Sequence, residues 1–185
     1  MSRTFLVENP LSATWRLLAD GEARPSLPQS SRIEQIAGCA RFRFCLEVNQ
    51  GGKLGLVGFV RAETAVSEGA GLDDSRALFL SLTKTDALFR VTVYLRSKAS
   101  DVDLQCVTEL AGPQELPLDK FRFVKWGSEV SLSAGEREQF LLGVNAFGLQ
   151  IARSRQAEEF HERPFAGEFG LEGPVGIVSA GRPSL

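Results

Sequence analysis

Apolar and polar residues alternate in several short stretches of the chain. In Arg41–Asn49 every second residue is apolar: Phe42, Phe44, Leu46 and Val48. Successive side chains of a strand point to opposite faces, so this period of two predicts a strand with one buried face. Leu54–Arg61 is a second strand-like run and follows a short connection that contains two glycines. The two runs therefore predict a β-hairpin.

Further strand-like runs recur along the chain, namely Ala77–Thr83, Leu88–Arg96, Val102–Leu110 and Phe121–Leu132. The first two are expected to pair around Lys84–Asp86. The loose alternation of Leu88–Arg96 indicates a strand that is covered on both faces, and Gly127 indicates a bulge within its run. We find no long amphipathic helix. About ten to twelve short strands separated by turn residues predict an all-β sandwich or barrel.

The last third of the chain, Arg137–Ser179, contains three apolar runs, which are Phe140–Asn145, Gly148–Ser154 and Gly173–Ser179. We expect each of them to be a strand. Between the second and the third, Glu158–Glu162 could form a single helical turn. This segment suggests the architecture most directly, because strand-like runs here flank a polar, glycine-containing connection.

The length of 185 residues predicts a single domain. Asp20–Ser31 is broken by Gly21, Pro25 and Pro28, which is typical of a loop. We therefore expect residues 1–31 to be an N-terminal extension, or a first strand plus a loop, and residues 32–185 to form the β-sandwich domain.

Composition limits the classes of partner. The net charge of −2 offers no basic surface for nucleic acid, whose binding depends on neutralising phosphates. There is no apolar run of about 20 residues for a membrane span, and we see no signal peptide. The odd number of cysteines, Cys39, Cys45 and Cys106, indicates free thiols in a reducing compartment. These features predict a cytoplasmic protein that binds neither nucleic acid nor membrane.

Residues for catalysis or metal binding are scarce. His161 is the only histidine, and we expect it to be a loop residue whose replacement by alanine changes activity or binding little. No Cys-x-x-Cys pair and no phosphate-binding loop occurs. Two carboxylate pairs have the spacing of strand neighbours, Asp101 with Asp103 and Glu136 with Glu138, but both adjoin turns, where acids are usually solvated. We predict no enzymatic activity, no catalytic residue, no metal site and no cofactor.

Several segments resemble the concanavalin A-like and galectin-like families. The order Phe140–Asn145, Gly148–Ser154, Gly173–Ser179 is similar to their closing strands, in which a strand ends in Val-Asn. Trp126-Gly127-Ser128-Glu129 is similar to the Trp-Gly-x-Glu of galectins, and Leu54–Arg61 ends in an arginine as their sugar-binding strand does. The resemblance implies an antiparallel β-sandwich, a jelly roll.

The same resemblance implies where a ligand would bind, namely at Arg61, Trp126, Glu129 and Asn145. Three positions depart from the galectin pattern. Val57 and Phe59 stand where galectins carry a histidine and an asparagine that face the sugar, and Ser131 stands where an arginine is expected. Because the side chains of Val57 and Phe59 cannot replace the lost hydrogen bonds, we predict that lactose does not bind.

The alternatives for individual residues remain open at this stage. Trp126 is either a core residue or a stacking platform. The strand arginines could form a cationic patch or be balanced by acids such as Glu63 and Glu109. The sequence favours a non-catalytic recognition module that binds a glycan or a protein. The alternatives are a structural subunit of a larger assembly, with oligomers possible, and an enzyme that acts on glycosides.

Overall fold

The computed structural model is an antiparallel β-sandwich, and its first sheet has seven strands within the described part of the chain. The structure describes residues 4–19, 31–46, 59–67, 72, 75–85, 90–98, 100–152 and 165–179. The first sheet contains β1 (Thr4–Val7), β3 (Ser31–Gln35), β4 (Arg41–Leu46), β6 (Ser75–Lys84), β9 (Gly112–Pro117), β13 (Phe165–Leu171) and β14 (Val175–Ser179). Its order is β1-β14-β6-β13-β4-β3, with β9 paired to β6.

The second sheet also has seven strands among the described residues, in the order β11-β10-β8-β7-β12-β5-β2. It contains β2 (Arg16–Ala19), β5 (Phe59–Ala65), β7 (Val91–Ser97), β8 (Asp103–Thr108), β10 (Arg122–Lys125), β11 (Ser128–Glu129) and β12 (Val144–Ala152). Both sheets contribute side chains to one apolar core. The prediction of an all-β, jelly-roll sandwich is therefore confirmed.

The alternation predicted for β4 is confirmed where the structure describes it. Phe42, Phe44 and Leu46 are buried, whereas Arg41 and Arg43 are exposed on the other face. The ring of Phe44 meets that of Phe169 edge to face, with 5.7 Å between the ring centroids. Such aromatic pairs add directional contacts to the burial of apolar area, which drives the two sheets together.

The predicted hairpin between Arg41–Asn49 and Leu54–Arg61 is wrong. Both edges of β4 are occupied, one by β3 and the other by β13, and β5 lies in the opposite sheet between β2 and β12. The predicted pair of Ala77–Thr83 with Leu88–Arg96 is wrong for the same reason, since β6 and β7 also lie in opposite sheets. Strands that face one core from opposite sides have the same periodicity as paired strands. Residues 47–58 and 86–89 lie outside the described residues.

Strand β7 is buried on both faces, as predicted, because Val91–Leu95 is buried throughout. Val91, Val93 and Leu95 belong to the apolar core. The alternate residues Thr92 and Tyr94 are therefore directed to the outer face of the second sheet, and they too are buried.

One α-helix among the described residues was not predicted. Helix α1 (Ala134–Leu142) begins at a capping box, in which the Ser133 hydroxyl accepts from the Glu136 backbone N–H and the Glu136 carboxylate accepts from the Ser133 N–H. The predicted strand Phe140–Asn145 is therefore wrong at its start. Phe140 is helical and packs on Phe123, with 5.2 Å between the ring centroids. The Ser-x-x-Glu spacing was the sequence signal for this helix.

The break that we predicted between Asn145 and Gly148 is absent. Strand β12 runs without interruption from Val144 to Ala152 and pairs with β5 on one side and β7 on the other. The expected separation of Phe140–Asn145 from Gly148–Ser154 is therefore wrong. The pairing with β7 shifts register between Val144 and Ala146, which is the mark of a local bulge.

The two described strands that precede β3, β1 and β2, both belong to the sandwich. Strand β1 pairs with β14 at the edge of the first sheet, and β2 pairs with β5 at the edge of the second. The division of the chain into residues 1–31 and 32–185 stays a prediction. No helix among the described residues is long and apolar enough to cross a membrane.

The three cysteines are free thiols, with Cys39 and Cys45 half-buried and Cys106 buried. Burial raises the pKa of the Cys106 thiol, and the thiolate is the reactive form. We expect a thiol reagent to detect three groups in the unfolded protein without reductant. In the folded protein Cys106 should react most slowly, and its rate should rise furthest as the pH increases. Detection of one group after unfolding would contradict this prediction.

Candidate functional site

The outer face of the second sheet carries a layer of polar side chains. In β5 the residues Val60 and Ala62 belong to the core, so Arg61 and Glu63, which alternate with them along the strand, are directed outwards. The same alternation applies to β7, β8 and β12. We define the polar face by the polar side chains that point outwards from these four strands: Arg61, Glu63, Thr92, Tyr94, Arg96, Asp103, Gln105 and Gln150.

Tyr94 lies across the neighbouring strand to reach a carboxylate. The register places Tyr94 of β7, Gly148 of β12 and Glu63 of β5 side by side. A Cβ atom on Gly148 would be 2.3 Å from Cζ of Tyr94, so only glycine leaves room for the ring. The phenol donates to Oε2 of Glu63 over 3.1 Å. Burial, followed by the charge of Glu63, raises the pKa of Tyr94, which keeps the phenol a neutral donor.

Two arginines and a second carboxylate continue this arrangement. Nη1 of Arg96 is 3.1 Å from Oε2 of Glu63, and its Nε donates to Oδ1 of Asp103 over 3.2 Å. Nη2 of Arg61 is 3.1 Å from Oδ2 of Asp103. The Arg61 guanidinium also lies over the Tyr94 ring, 4.8 Å from its centroid, which is within the range of a cation–π contact.

These contacts form a closed cycle, which we call the polar network: Tyr94, Glu63, Arg96, Asp103 and Arg61. Its two guanidinium groups and two carboxylates balance in charge. Two amides adjoin it, since Nε of Arg61 donates to Oε1 of Gln150 and the Gln105 amide donates to Oδ2 of Asp103 over 3.4 Å. Buried charges are tolerated when they are paired in this way.

The polar network extends from the sheet to the solvent. Tyr94 is fully buried, Glu63 and Asp103 are each 8% exposed, and the Arg96 side chain is 37% exposed. The inner members therefore fix the outer one, and Arg96 offers a guanidinium of defined orientation to the solvent. Planar polar groups held in this way can exchange hydrogen bonds with hydroxyl groups at little cost in side-chain entropy.

Of the predicted binding residues, only Arg61 belongs to the polar network. Tyr94, Gln105 and Gln150 were not predicted as site residues, and Asp103 was considered only as one of a carboxylate pair. One signal could have found the face. In β7 the outward residues Thr92, Tyr94 and Arg96 are all polar, whereas a strand buried on both faces is usually apolar.

Trp126 lies at the tip of a β-hairpin. Lys125 pairs with Ser128, so Trp126 and Gly127 form a two-residue loop with φ angles of 53° and 82°. Two successive positive φ angles are those of a type I′ turn. The predicted bulge at Gly127 is therefore wrong. The core alternative for Trp126 is also wrong, because its side chain is 85% exposed.

The structure places Glu129 next to Trp126 and Asn145 elsewhere. Glu129 is exposed on β11, and its Oε1 is 3.6 Å from Nε of Arg122. Asn145 lies at the beginning of β12, half-buried, and its carbonyl accepts from Val66 N–H over 3.1 Å. No contact within the described part of the chain joins Asn145 to the hairpin tip. Whether any of these residues binds a ligand stays a prediction.

The strand arginines do not form a cationic patch. The six arginines that we assigned to a possible patch in the predicted strands are each within 4.0 Å of a carboxylate, in the pairs Arg41–Glu172, Arg43–Glu34, Arg43–Glu168, Arg61–Asp103, Arg90–Glu109, Arg96–Glu63, Arg96–Asp103 and Arg122–Glu129. The alternative of a surface balanced by acids such as Glu63 and Glu109 is confirmed.

The two predicted carboxylate pairs are divided among different partners. Asp101 is exposed and 2.6 Å from the Lys125 ammonium, whose hydrogen bond lowers the carboxyl pKa. Asp103 belongs to the polar network. The hydrogen bond from Ser133 lowers the pKa of Glu136 at the helix cap.

Among the residues that the structure describes, no group of histidine, cysteine and acidic side chains could hold a metal ion. His161 and Val57 lie outside those residues.

Two shallow clefts of about 520 and 360 Å³ lie against β6 of the first sheet. An ion pair borders each of them, Arg76 with Glu115 in the first and Arg41 with Glu172 in the second. Neither cleft involves a residue of the polar face. Among the described residues, these clefts therefore lie on the first sheet and the polar network lies on the second.

Comparison with solved structures identifies similar folds. The structure is similar to the family 11 carbohydrate-binding module of a cellulosomal cellulase from Clostridium thermocellum, with a TM-score of 0.55 and 8% sequence identity over 97% of this chain and 95% of that one. It is also similar to a family 11 module from Clostridium thermocellum in complex with a β-1,3-1,4-mixed-linked tetrasaccharide, with a TM-score of 0.51 and 10% identity over 95% of each chain. At such low identity the similarity is one of fold. No protein-family model and no curated protein sequence matches this chain.

Proposed function

We propose that the protein is a non-catalytic module that binds a glycan on the polar face of its second sheet. The observation that carries the proposal is the polar network, which holds a half-exposed arginine and an adjoining amide in fixed orientations. The fold shared with carbohydrate-binding modules supports the same function. Fold alone does not determine function, so the argument depends on the chemistry of this face.

That chemistry suits sugar hydroxyls. A hydroxyl leaves water without penalty only if protein groups replace its hydrogen bonds. Glu63 and Asp103 engage two of the five N–H groups of Arg96, and the side chain is 37% exposed, so a ligand can reach it. The Gln105 amide can both donate and accept. Because the inner network already orders these groups, a ligand would meet a surface with little side-chain entropy left to lose.

The first ligand to test follows from the similar structures. One of them binds a β-1,3-1,4-mixed-linked tetrasaccharide, so this oligosaccharide is the natural probe. A galectin-like galactoside site at Arg61 is not expected, because Val57 and Phe59 replace the polar residues of that family. Lactose is therefore the matched negative ligand.

The three free thiols support our proposal that the protein resides in the reducing cytoplasm.

Calorimetric titration with the mixed-linked tetrasaccharide should show saturable binding, and lactose at millimolar concentration should show none. The substitution Gln105→Ala should weaken binding about fivefold to tenfold, the effect of one lost hydrogen bond. This side chain is half-exposed and adjoins the network without completing it, so the variant should melt like the wild type.

Glu34→Ala is the control variant, since Glu34 is exposed on β3 of the first sheet. It should bind the tetrasaccharide as the wild type does. If the wild-type protein does not bind the mixed-linked tetrasaccharide at millimolar concentration, the proposed function is wrong. If Glu34→Ala and Gln105→Ala weaken binding equally, the ligand does not lie on the polar face. Saturable lactose binding that Arg61→Ala abolishes would instead identify a galactoside site.

A further inference from the structure

The turn at the tip of the β10–β11 hairpin contains an unfavourable residue. Trp126 has a φ angle of 53°, and among the described residues it is the only one other than glycine with a positive φ. In this region the side chain of an L-residue crowds its own backbone. The first central position of a type I′ turn favours asparagine, aspartate or glycine. A tryptophan here destabilises the hairpin that presents it.

Packing does not offset this cost. The Trp126 side chain is 85% exposed. The other tryptophan, Trp15, shows the usual situation, since it is 8% exposed and its indole N–H donates to the Pro10 carbonyl over 3.0 Å. Strained backbone that nothing in the fold requires is concentrated at sites of function. The position of Trp126 is therefore better explained by something that binds to its indole ring.

Side-chain contacts hold the hairpin itself in place. Its strands are joined by the Arg122–Glu129 ion pair, and Lys125 at the base of the turn is 2.6 Å from Asp101 of the neighbouring segment. Beneath it, Phe123 packs against Phe140 of α1. The backbone that carries the indole ring is therefore ordered before a ligand binds, which lowers the entropic cost of binding.

The hairpin also adjoins the polar face. Val124 of β10 is the direct partner of Asp103 in β8, and Asp103 belongs to the polar network. Trp126 follows two residues later, at the end of that strand. From Arg96 on β7 to β10 there are two strand spacings, about 10 Å. A ligand that reaches from the network to the indole must therefore be a chain of sugars rather than a single ring.

We propose that Trp126 is a stacking subsite for one pyranose ring of an oligosaccharide whose neighbouring sugars lie on the polar face. This inference rests on the proposed function and adds a second contact region to it. A pyranose with equatorial hydroxyls presents C–H groups on its faces, and these pack on an indole ring as other apolar groups do. Glu129, three residues further along on β11, can accept a hydrogen bond from a hydroxyl of the stacked sugar.

The substitution Trp126→Asn separates binding from folding, because the two effects have opposite signs. Asparagine followed by Gly127 is the favoured sequence for this turn, so the thermal midpoint should rise. Loss of the ring should weaken the binding of the mixed-linked tetrasaccharide about tenfold. Trp126→Phe retains a ring and should keep most of the affinity. In the wild type, ligand should shift the emission of the exposed indole to shorter wavelength and protect it from an aqueous quencher.

Each other outcome is informative. If the wild type binds the tetrasaccharide and Trp126→Asn binds it equally well, the subsite is wrong and the proposed function stands. If Trp126→Asn lowers the thermal midpoint, Trp126 has a structural role and the inference is overturned. If the wild type does not bind, the proposed function fails and the subsite fails with it. Gln105→Ala and Trp126→Asn should both weaken binding, whereas only the second should remove the emission shift.

Discussion

Replacing Phe44 by alanine should lower the free energy of unfolding by about 3–5 kcal/mol. The side chain is 2% exposed in β4, a strand that is paired on both edges. Its ring packs edge to face on Phe169 of the adjacent strand. Alanine removes the apolar area and leaves a cavity that strands held on both sides cannot close. Equilibrium denaturation in urea, with the slope checked for two-state behaviour, measures the loss.

Arg43→Ala is the matched control, because Arg43 is the preceding residue of the same strand and points to the exposed face. Its ion pairs with Glu34 and Glu168 are solvent-exposed, and such pairs contribute little. The control variant should therefore unfold at nearly the same urea concentration as the wild type. A loss below about 1 kcal/mol for Phe44→Ala would mean that this face of β4 does not form part of a tightly packed core.

The second large effect is expected from Asp103→Ala. Asp103 is 8% exposed and neutralises both Arg61 and Arg96. Without it, two guanidinium groups on the polar face lose their shared carboxylate. Breaking a fully buried pair costs about 3–5 kcal/mol. Because Arg96 is 37% exposed and water can solvate it, we expect a smaller loss, about 2–4 kcal/mol. The measurement is again equilibrium denaturation.

Asp101→Ala provides the comparison for this residue. Asp101 lies two positions earlier and forms an exposed pair with Lys125, so its removal should change stability far less. If the two variants unfold at the same denaturant concentration, the polar network does not stabilise the sheet. Asp103→Ala should also weaken glycan binding more than Gln105→Ala does, since it frees Arg96 to move and Gln105 only adjoins the network.

The sheet pairing illustrates what periodicity can and cannot predict. The alternation in Arg41–Leu46 correctly predicted which side chains are buried. It did not predict the partners of the strand. Any strand with one apolar face satisfies the same pattern whether its neighbour is hydrogen-bonded to it or lies across the core. Strands β4 and β5 face each other from opposite sheets, and the turn residues between two runs were not sufficient to distinguish these arrangements.

The helix and the hairpin show a different limit. In Phe140–Asn145 the apolar run resembled a strand, but the capping box at Ser133 begins a helix of nine residues that ends at Leu142. Local hydrogen bonding outweighed an ambiguous apolar pattern. At Trp126-Gly127, one glycine in a strand-like run fits either a bulge or a turn. The short hairpin forms because β10 and β11 pair directly across these two residues.

By itself the sequence determined the all-β class and the buried faces of β4 and β7, because these depend on the pattern of apolar residues within single strands. The resemblance to galectins drew attention to Arg61. The tertiary structure decided the strand order and the polar network. The network requires β5, β12, β7 and β8 to lie side by side in one register, so that Tyr94 passes over Gly148 to Glu63. Tyr94 is 31 positions from Glu63 in the chain, and Gly148 is 85 positions from Glu63. These residues come into contact only through that register. Hydrogen bonds over such separations have no local signature, which is why the site emerged only from the fold.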